Sequence, residues 1–265
     1  IYSRLRNRNI LSLFLHNDPL EMKGSKTVDD RKNLLLKLDK IYCVSKFIKK
    51  RFLIGISDNS NKVVVLHNGV NRTQKSMPKK KKQIIFVGRI VKEKGVDLFV
   101  DSIREIYKDF EDWNFKIIGT PRLGINNWDQ FSRRIKTDFE SLGNRAEMTG
   151  FINSKDLSVI MSETSIIVIP SIWKEPFGLV AAEAMSNGIA IISSNSGGLS
   201  EIIGKNGILI DDINSKKISK KLKEIISNNS MLKQLQRKSW KNFNFDAKKI
   251  SSILDDYRKK LFFKN

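Results

Sequence analysis

A single cysteine, Cys43, stands in the 265 residues of this chain, which excludes an internal disulfide framework and fits a reducing compartment. Two histidines, His16 and His67, are too few beside it for a dedicated zinc site. No apolar run approaches the roughly 20 residues of a membrane-spanning helix. Acids are scarce as well: 28 Asp plus Glu face 49 Lys plus Arg, a formal net charge of +21. Such an excess suits a nucleic-acid binder or a protein on an anionic membrane face. Yet no zinc-finger spacing, basic heptad or RNP-like aromatic motif accompanies it. The cations are spread over the whole length, and the one tight run, Lys79-Lys80-Lys81-Lys82, reads as a solvated linker. Charge alone therefore selects no function. An initiating Met is also missing, and Ile1 comes a few residues before the apolar run 10–15. The expectation is a fragment that lacks an amino-terminal portion.

What is present is a core. Hydrophobic residues make up 40% of the chain, and at about 150 residues per domain the length suggests one to two domains. The run 10–15 ends in His16-Asn17-Asp18-Pro19. A helix over 29–37, a strand over 41–44, a helix over 46–53 opened by Ser45 as N-cap, and a strand over 63–66 follow. The segment 73–82 has Pro78 and no apolar periodicity, and reads as an interdomain linker. A regular alternation then begins. Strands are expected at 84–87, 115–118, 147–149, 165–169, 190–193 and 207–210, with helices at 96–107, 129–142, 155–161, 179–186 and 200–203 between them. The tail 231–263 reads as helical, with Trp240, Phe243 and Phe245 as apolar anchors. Nearly continuous apolar strands between amphipathic helices indicate a parallel sheet covered on both faces, a doubly wound α/β domain. Its ligand belongs at the carboxyl ends of the strands, where strand order reverses.

Two strand ends carry chemistry. After the strand 84–87 comes Gly88-Arg89-Ile90-Val91-Lys92-Glu93-Lys94-Gly95. Gly88 lets a ligand approach the backbone, Arg89 and Lys94 supply cations, and Gly95 opens a helix whose amides favour anions. After the strand 165–169, Pro170 leads through Glu175-Pro176-Phe177-Gly178-Leu179 into a helix bearing Glu183. A carboxylate deep in an apolar helix is costly unless hydrogen-bonded, and sugar hydroxyls are natural partners for it. Neither the Gly-x-Gly-x-x-Gly nor the Gly-x-x-x-x-Gly-Lys-[Ser/Thr] motif occurs here. Cations for a diphosphate and acids for hydroxyls, without a nicotinamide fingerprint, point to a nucleotide sugar.

These residues resemble the retaining glycosyltransferases of family 4, which have the GT-B fold of two Rossmann-like domains. The stretch 86–97 is similar to the family's donor-diphosphate loop. The stretch 170–185 is similar to its signature of two glutamates eight positions apart, Glu175 and Glu183. Leu66-His67-Asn68-Gly69-Val70 is similar to its hinge motif, and Gly197-Gly198 to a following glycine pair, although Leu199 stands where the family commonly has proline. Glu201 is accordingly expected to be a helix-start residue and not a site, and His67, which lies at the hinge, to be structural. The likeness runs over about 16–257. The segment 16–27 further resembles enzymes of lipopolysaccharide assembly. The resemblance implies an α/β, GT-B-type fold with a complete donor domain and only part of the amino-terminal one. The segments would be 1–72 from the amino-terminal (acceptor) domain, 73–82 linker, 83–238 donor domain and 239–265 a helix returning to the first domain.

By the same resemblance, Gly88, Arg89 and Lys94 bind the donor diphosphate, and amides at Phe177, Gly178 and Leu179 hold phosphate and sugar. Glu183 takes the ribose, Phe151 and Ile152 meet the base, and Glu175 and His16 act at the sugar as catalytic groups. The implied activity is retaining transfer of a hexosyl unit from a nucleoside diphosphate sugar to an acceptor hydroxyl. No metal or other cofactor is expected. The acceptor would be a glycan or lipid-linked molecule of lipopolysaccharide or surface-glycan synthesis, and the location the cytoplasm, with an anionic inner membrane face as docking surface. The acceptor site and a glycine-rich loop of the family fall outside this stretch, so the fragment is expected to bind donor whether or not it transfers. No nucleic acid is expected as partner. A GT-B-like epimerase or phosphorylase and a basic nucleic-acid-binding protein are the alternatives.

Overall fold

The apolar runs fold as parallel β-structure. The structure, a computed structural model, describes residues 10–121 and 128–262. The chain divides into two compact units: residues 1–71, 175–178 and 245–265 form the first, and 72–174 and 179–244 the second.

The first unit holds β1 (Ser12–Leu15), β2 (Lys40–Cys43) and β3 (Val63–Val65), a parallel sheet in the order β1-β2-β3. Helix α1 (Val28–Lys37) starts with a capping box: Thr27 Oγ1 accepts from the Asp30 amide, and the Asp30 carboxylate accepts from the Thr27 amide. Helix α2 (Lys46–Phe52) is capped by Ser45, whose Oγ accepts from the Ile48 amide. Arg31 is 1% exposed, yet its guanidinium lies among carbonyl oxygens. It donates to the carbonyls of Ser25, Lys26, Phe52 and Ile54 at 2.7–3.1 Å. Four charge-assisted hydrogen bonds replace the water that burial removed, and they tie the start of α1 to the end of α2.

The second unit is a six-stranded parallel sheet of β4 (Lys81–Val87), β5 (Asn114–Ile118), β6 (Ala146–Gly150), β7 (Thr164–Ile169), β8 (Ala190–Ser194) and β9 (Ile208–Ile210). Its order is β6-β5-β4-β7-β8-β9, so the chain moves outward from β4 in one direction and then from β7 in the other. The switch lies between β4 and β7. Helices α3 (Val96–Ile106), α4 (Gln130–Glu140), α5 (Ser154–Glu163), α6 (Leu179–Ser186), α7 (Leu199–Ile203), α8 (Ser215–Ser227) and α9 (Asn229–Lys241) connect and cover the strands. Their apolar residues follow helical spacing: Val96, Phe99, Val100, Ile103 and Ile106 of α3 are all buried, as are Ile218, Leu222 and Ile225 of α8. These side chains join Ile84, Phe86, Ile166, Val168, Ala190 and Ile192 of the central strands in one core. Each fully buried aliphatic side chain contributes about 1.5–3 kcal/mol. The side chains of Asp129, Asn153 and Asn214 cap α4, α5 and α8.

Several sequence expectations need correcting. The strand β4 starts at Lys81, two residues inside the stretch read as linker. The Lys81 backbone pairs with Thr164 and its carbonyl accepts from Ser165 Oγ, while the Lys81 and Lys82 side chains reach out to Glu163 and Asp112. Helix α8 lies where no helix was expected, because its Lys-rich face hides a three-residue apolar stripe. The tail is two helices, α9 and α10 (Ala247–Phe262), interrupted at 242–246 where Val70 bridges Asp246. Phe263 lies outside the described residues. Trp240 and Phe243 flank the Arg72 guanidinium, 3.8 and 4.7 Å from the two ring centres, and so anchor a cation as well as apolar surface. Residues 175–178, expected within the donor domain, belong to the first unit. There Ser45 Oγ donates to the Pro176 carbonyl at 2.5 Å, and the buried Phe177 ring meets His67 and Phe245.

The carboxyl ends of β6, β5 and β4 are stitched glycine to glycine. The Gly119 amide donates to the Gly150 carbonyl at 2.9 Å, and the Gly88 amide to the Ile118 carbonyl at 3.0 Å. A Cβ on Gly119, whose φ is +142°, would overlap the Gly88 carbonyl oxygen, whereas one on Gly204 meets open space. Gly119→Ala is therefore expected to destabilise the protein by about 2–4 kcal/mol, and Gly204→Ala by about 1 kcal/mol, the left-handed backbone alone. Urea melts of both variants check this, and equal midpoints would contradict it.

Candidate functional site

The loops that leave β4, β7 and β8 are bound into one rim. After β4, Lys92–Lys94 forms a single 3-10 turn closed by Gly95, whose φ is +67°. A Cβ there would strike the Pro170 carbonyl, so the two loops touch backbone to backbone. The Glu93 carbonyl accepts from the amides of Ile172 and Trp173 at 2.9 and 3.1 Å and from Ser171 Oγ at 3.3 Å. Ser196 Oγ, after β8, donates to the Trp173 carbonyl at 3.2 Å. This rim stands at the switch point of the sheet, the place where a parallel α/β sheet opens a crevice.

Within the second unit the rim carries Gly88, Arg89, Lys94, Leu179 and Glu183. Arg89 is exposed and makes no hydrogen bond or ion pair among the described residues. The Lys94 ammonium stands 5.4 Å from the Trp173 ring centre, a contact that limits where this flexible side chain points. Gly95 is followed at once by α3, whose first amides face the same end of the sheet. Leu179 starts α6 and is 48% exposed. Glu183, one turn further, is half-buried on a helix whose Ala181, Ala182, Ala184 and Met185 are fully buried. Burial pushes its carboxyl above the usual carboxylate range, and no hydrogen bond or ion pair among the described residues offsets that cost. Phe151, 64% exposed, follows Gly150 at the end of β6, with Ile152 half-buried beside it.

The first unit holds the remaining expected residues. Glu175 is 9% exposed. Phe177 is buried with its ring centre 5.9 Å from that of His67 and 5.7 Å from that of Phe245, and Gly178 has φ +100°. His67 thus belongs to an aromatic cluster. His16 follows β1 and is exposed, its ring 6.4 Å from and nearly parallel to that of Phe14. Sequence reasoning missed Ser194: it is buried at the carboxyl end of β8, and its Oγ has no hydrogen-bond partner. The two serines closing the run Ala190-Ile191-Ile192-Ser193-Ser194 could have flagged it. Among the described residues no three of His, Cys, Asp and Glu stand together as metal ligands, and no helix is long and apolar enough to cross a membrane.

Residues 69–242 match the family described as glycosyl transferases group 1. The chain belongs to this family. An uncharacterized glycosyltransferase of Methanocaldococcus jannaschii is 31% identical over 229 residues, 82% of this chain and 60% of that protein. Spore coat protein SA of Bacillus subtilis is 28% identical over 187 residues, 67% of this chain and 50% of that protein. The chain thus spans half to three fifths of the length of these relatives. Among solved structures, HepE of Anabaena in complex with UDP and glucose superposes with a TM-score of 0.77 at 17% identity, over 94% of this chain and 71% of that one. This likeness, with the two parallel sheets, places the fold in the GT-B class of the group 1 glycosyl transferases.

An unpartnered carboxylate in a half-buried position costs stability. Replacing Glu183 by Gln is expected to stabilise the protein by about 1–3 kcal/mol at pH 7, since the amide carries no charge to desolvate. The sign reverses the usual acid case. A raised native value means that the penalty exists above it and vanishes once pH falls below the ordinary glutamate range. The gain should therefore be present at pH 7 and absent near pH 4. Thermal melts of parent and variant at both pH values check it, and an equal gain at both would contradict the reading.

Proposed function

We propose that this chain carries the donor half of a retaining glycosyltransferase that moves a hexosyl unit from a nucleoside diphosphate sugar to an acceptor hydroxyl. The observation that carries the reading is a pair of groups without protein partners at one switch point: an exposed Arg89 and a half-buried Glu183. A diphosphate would satisfy the first and a vicinal diol the second. HepE, which shares the fold, was solved with UDP and glucose.

In this proposal Arg89, Lys94 and the amides that open α3 and α6 stabilise the diphosphate as it departs. The bond between the anomeric carbon and the β-phosphate oxygen breaks. A bond from the acceptor oxygen to the same carbon forms on the same face, and the acceptor proton passes to the leaving phosphate. Glu183 holds the ribose, and Phe151 with Ile152 meets the base. The family resemblance gives Glu175 and His16 their roles at the sugar, and Phe177, Gly178 and Leu179 theirs as amide donors. No metal takes part in this scheme. The acceptor, in the same proposal, is a lipid-linked or glycan hydroxyl of surface-polysaccharide or lipopolysaccharide synthesis, met in the cytoplasm.

Titration calorimetry with UDP, GDP and ADP tests the reading. One of the three should bind. Arg89→Ala and Lys94→Ala should each weaken it by about tenfold to a hundredfold, the worth of one charged hydrogen bond. Binding of none, or unchanged affinity in both variants, would overturn it. In the whole protein, the anomeric configuration of the product tests retention.

A further inference from the structure

The donor crevice leaves most of the positive charge unexplained. Part of the remainder converges at the opposite end of the second unit. A cavity of 810 Å³ opens below the amino ends of the central strands, lined by Met77, Pro78, Trp113, Ile226 and Leu232 on its apolar side. Its polar lining includes Lys79, Lys80, Lys82, Lys233 and Arg237, and it contains no Asp or Glu. The four-lysine run that reads as a solvated linker thus gives three of its members to one concavity.

These cations are not equivalent. Lys80 is half-buried and donates to the carbonyls of Ser162 and Asn187 at 2.8 and 2.6 Å, at the ends of α5 and α6. Lys82 pairs with Asp112. Lys79, Lys233 and Arg237 are exposed and have no hydrogen-bond or ion-pair partner among the described residues. Lys233 and Arg237 stand four residues apart on α9, beside Leu232 and Gln236, so two like charges share one helical face. Such a pair repels by a few tenths of a kcal/mol. Gln236 is itself fixed, donating to the Ser165 carbonyl at 3.2 Å, which holds this face of α9 against the amino end of β7. The volume lies in the range of small-molecule sites, and the mixture of apolar wall and convergent charge is that of a ligand pocket.

We infer that this cavity is a second anion site that binds a phosphate ester of two or more charges through Lys79, Lys233 and Arg237, with the ester's organic part against Trp113 and Leu232. The site is separate from the donor crevice and stands whether or not the donor reading holds. Two sources share the chemistry, a soluble organic polyphosphate and the headgroup of an acidic phospholipid.

Two triple variants test it. The first is Lys79→Gln, Lys233→Gln and Arg237→Gln. The second, Lys155→Gln, Lys216→Gln and Lys220→Gln, removes the same charge from exposed positions elsewhere. Inorganic triphosphate is titrated by calorimetry, and vesicles of about three parts phosphatidylcholine to one of phosphatidylglycerol are sedimented, both at ~0.15 M salt. At least one probe should bind the parent. The first variant should lose about a hundredfold, at roughly fivefold per cation, and the second no more than about threefold, with both keeping the parent melting temperature. Triphosphate binding assigns a soluble ester, and vesicle binding without triphosphate binding assigns a headgroup. Failure of both probes, or equal losses in the two variants, would overturn the site and leave the charge as a diffuse field.

Discussion

The second unit depends on how closely backbones meet at the carboxyl ends of its central strands. Gly88, Gly119 and Gly150 succeed one another across β4, β5 and β6, each amide of the first two donating to the neighbouring strand's last carbonyl. Gly95 then brings the β4 loop against Pro170 at the end of β7. With side chains absent at these points, the loops after β4 and β7 fuse through Glu93 into one rim. Backbone hydrogen bonds hold the rim together, and glycines stand where its strands and loops approach most closely.

The polar groups on that rim are the ones the proposed donor site uses. A protein that gained only stability would have no reason to leave Glu183 half-buried without a partner. Burial without a partner is a cost that Glu183 carries in the free fold; in the proposed site a ligand's hydroxyls would offset it while its phosphates meet the exposed Arg89. Trp173 and Lys94 add a fixed cation to the same rim. The half-buried Lys80 plays a different part: two carbonyls hold its ammonium at the ends of α5 and α6, and burial lowers it to about 7. It therefore braces the helix that carries Glu183 from the side away from the crevice.

Much of this is legible in the sequence. Apolar runs such as Ile84-Ile85-Phe86-Val87 and Ile166-Ile167-Val168-Ile169 name their strands because burial on both faces leaves no polar position in them. Glycine and proline end those strands, so the loops that carry Arg89, Lys94 and Glu183 could be located by counting. What was not legible has physical reasons. Helix α8 hides because eight of its thirteen residues are lysine or serine, with a buried apolar stripe of only Ile218, Leu222 and Ile225. Residues 175–178 join the first unit through Phe177 and Ser45, a long-range contact that no local pattern announces. Arg31 reads as one more cation in a basic chain, and only the convergence of four carbonyls shows it to be a core residue. Lys79 is separated from Lys233 and Arg237 by more than 150 residues of chain, and only the fold brings it beside them.

The central claim is that the switch point between β4 and β7 is a nucleoside diphosphate site. A crystal structure of the protein grown with the diphosphate it binds is the most direct test. The account predicts phosphate oxygens about 3 Å from the Arg89 guanidinium and the Lys94 ammonium, with the ribose hydroxyls at a similar distance from the Glu183 carboxylate. Density for the nucleotide only in the cavity at the amino ends of the strands, with Arg89 and Glu183 left unpartnered, would contradict it.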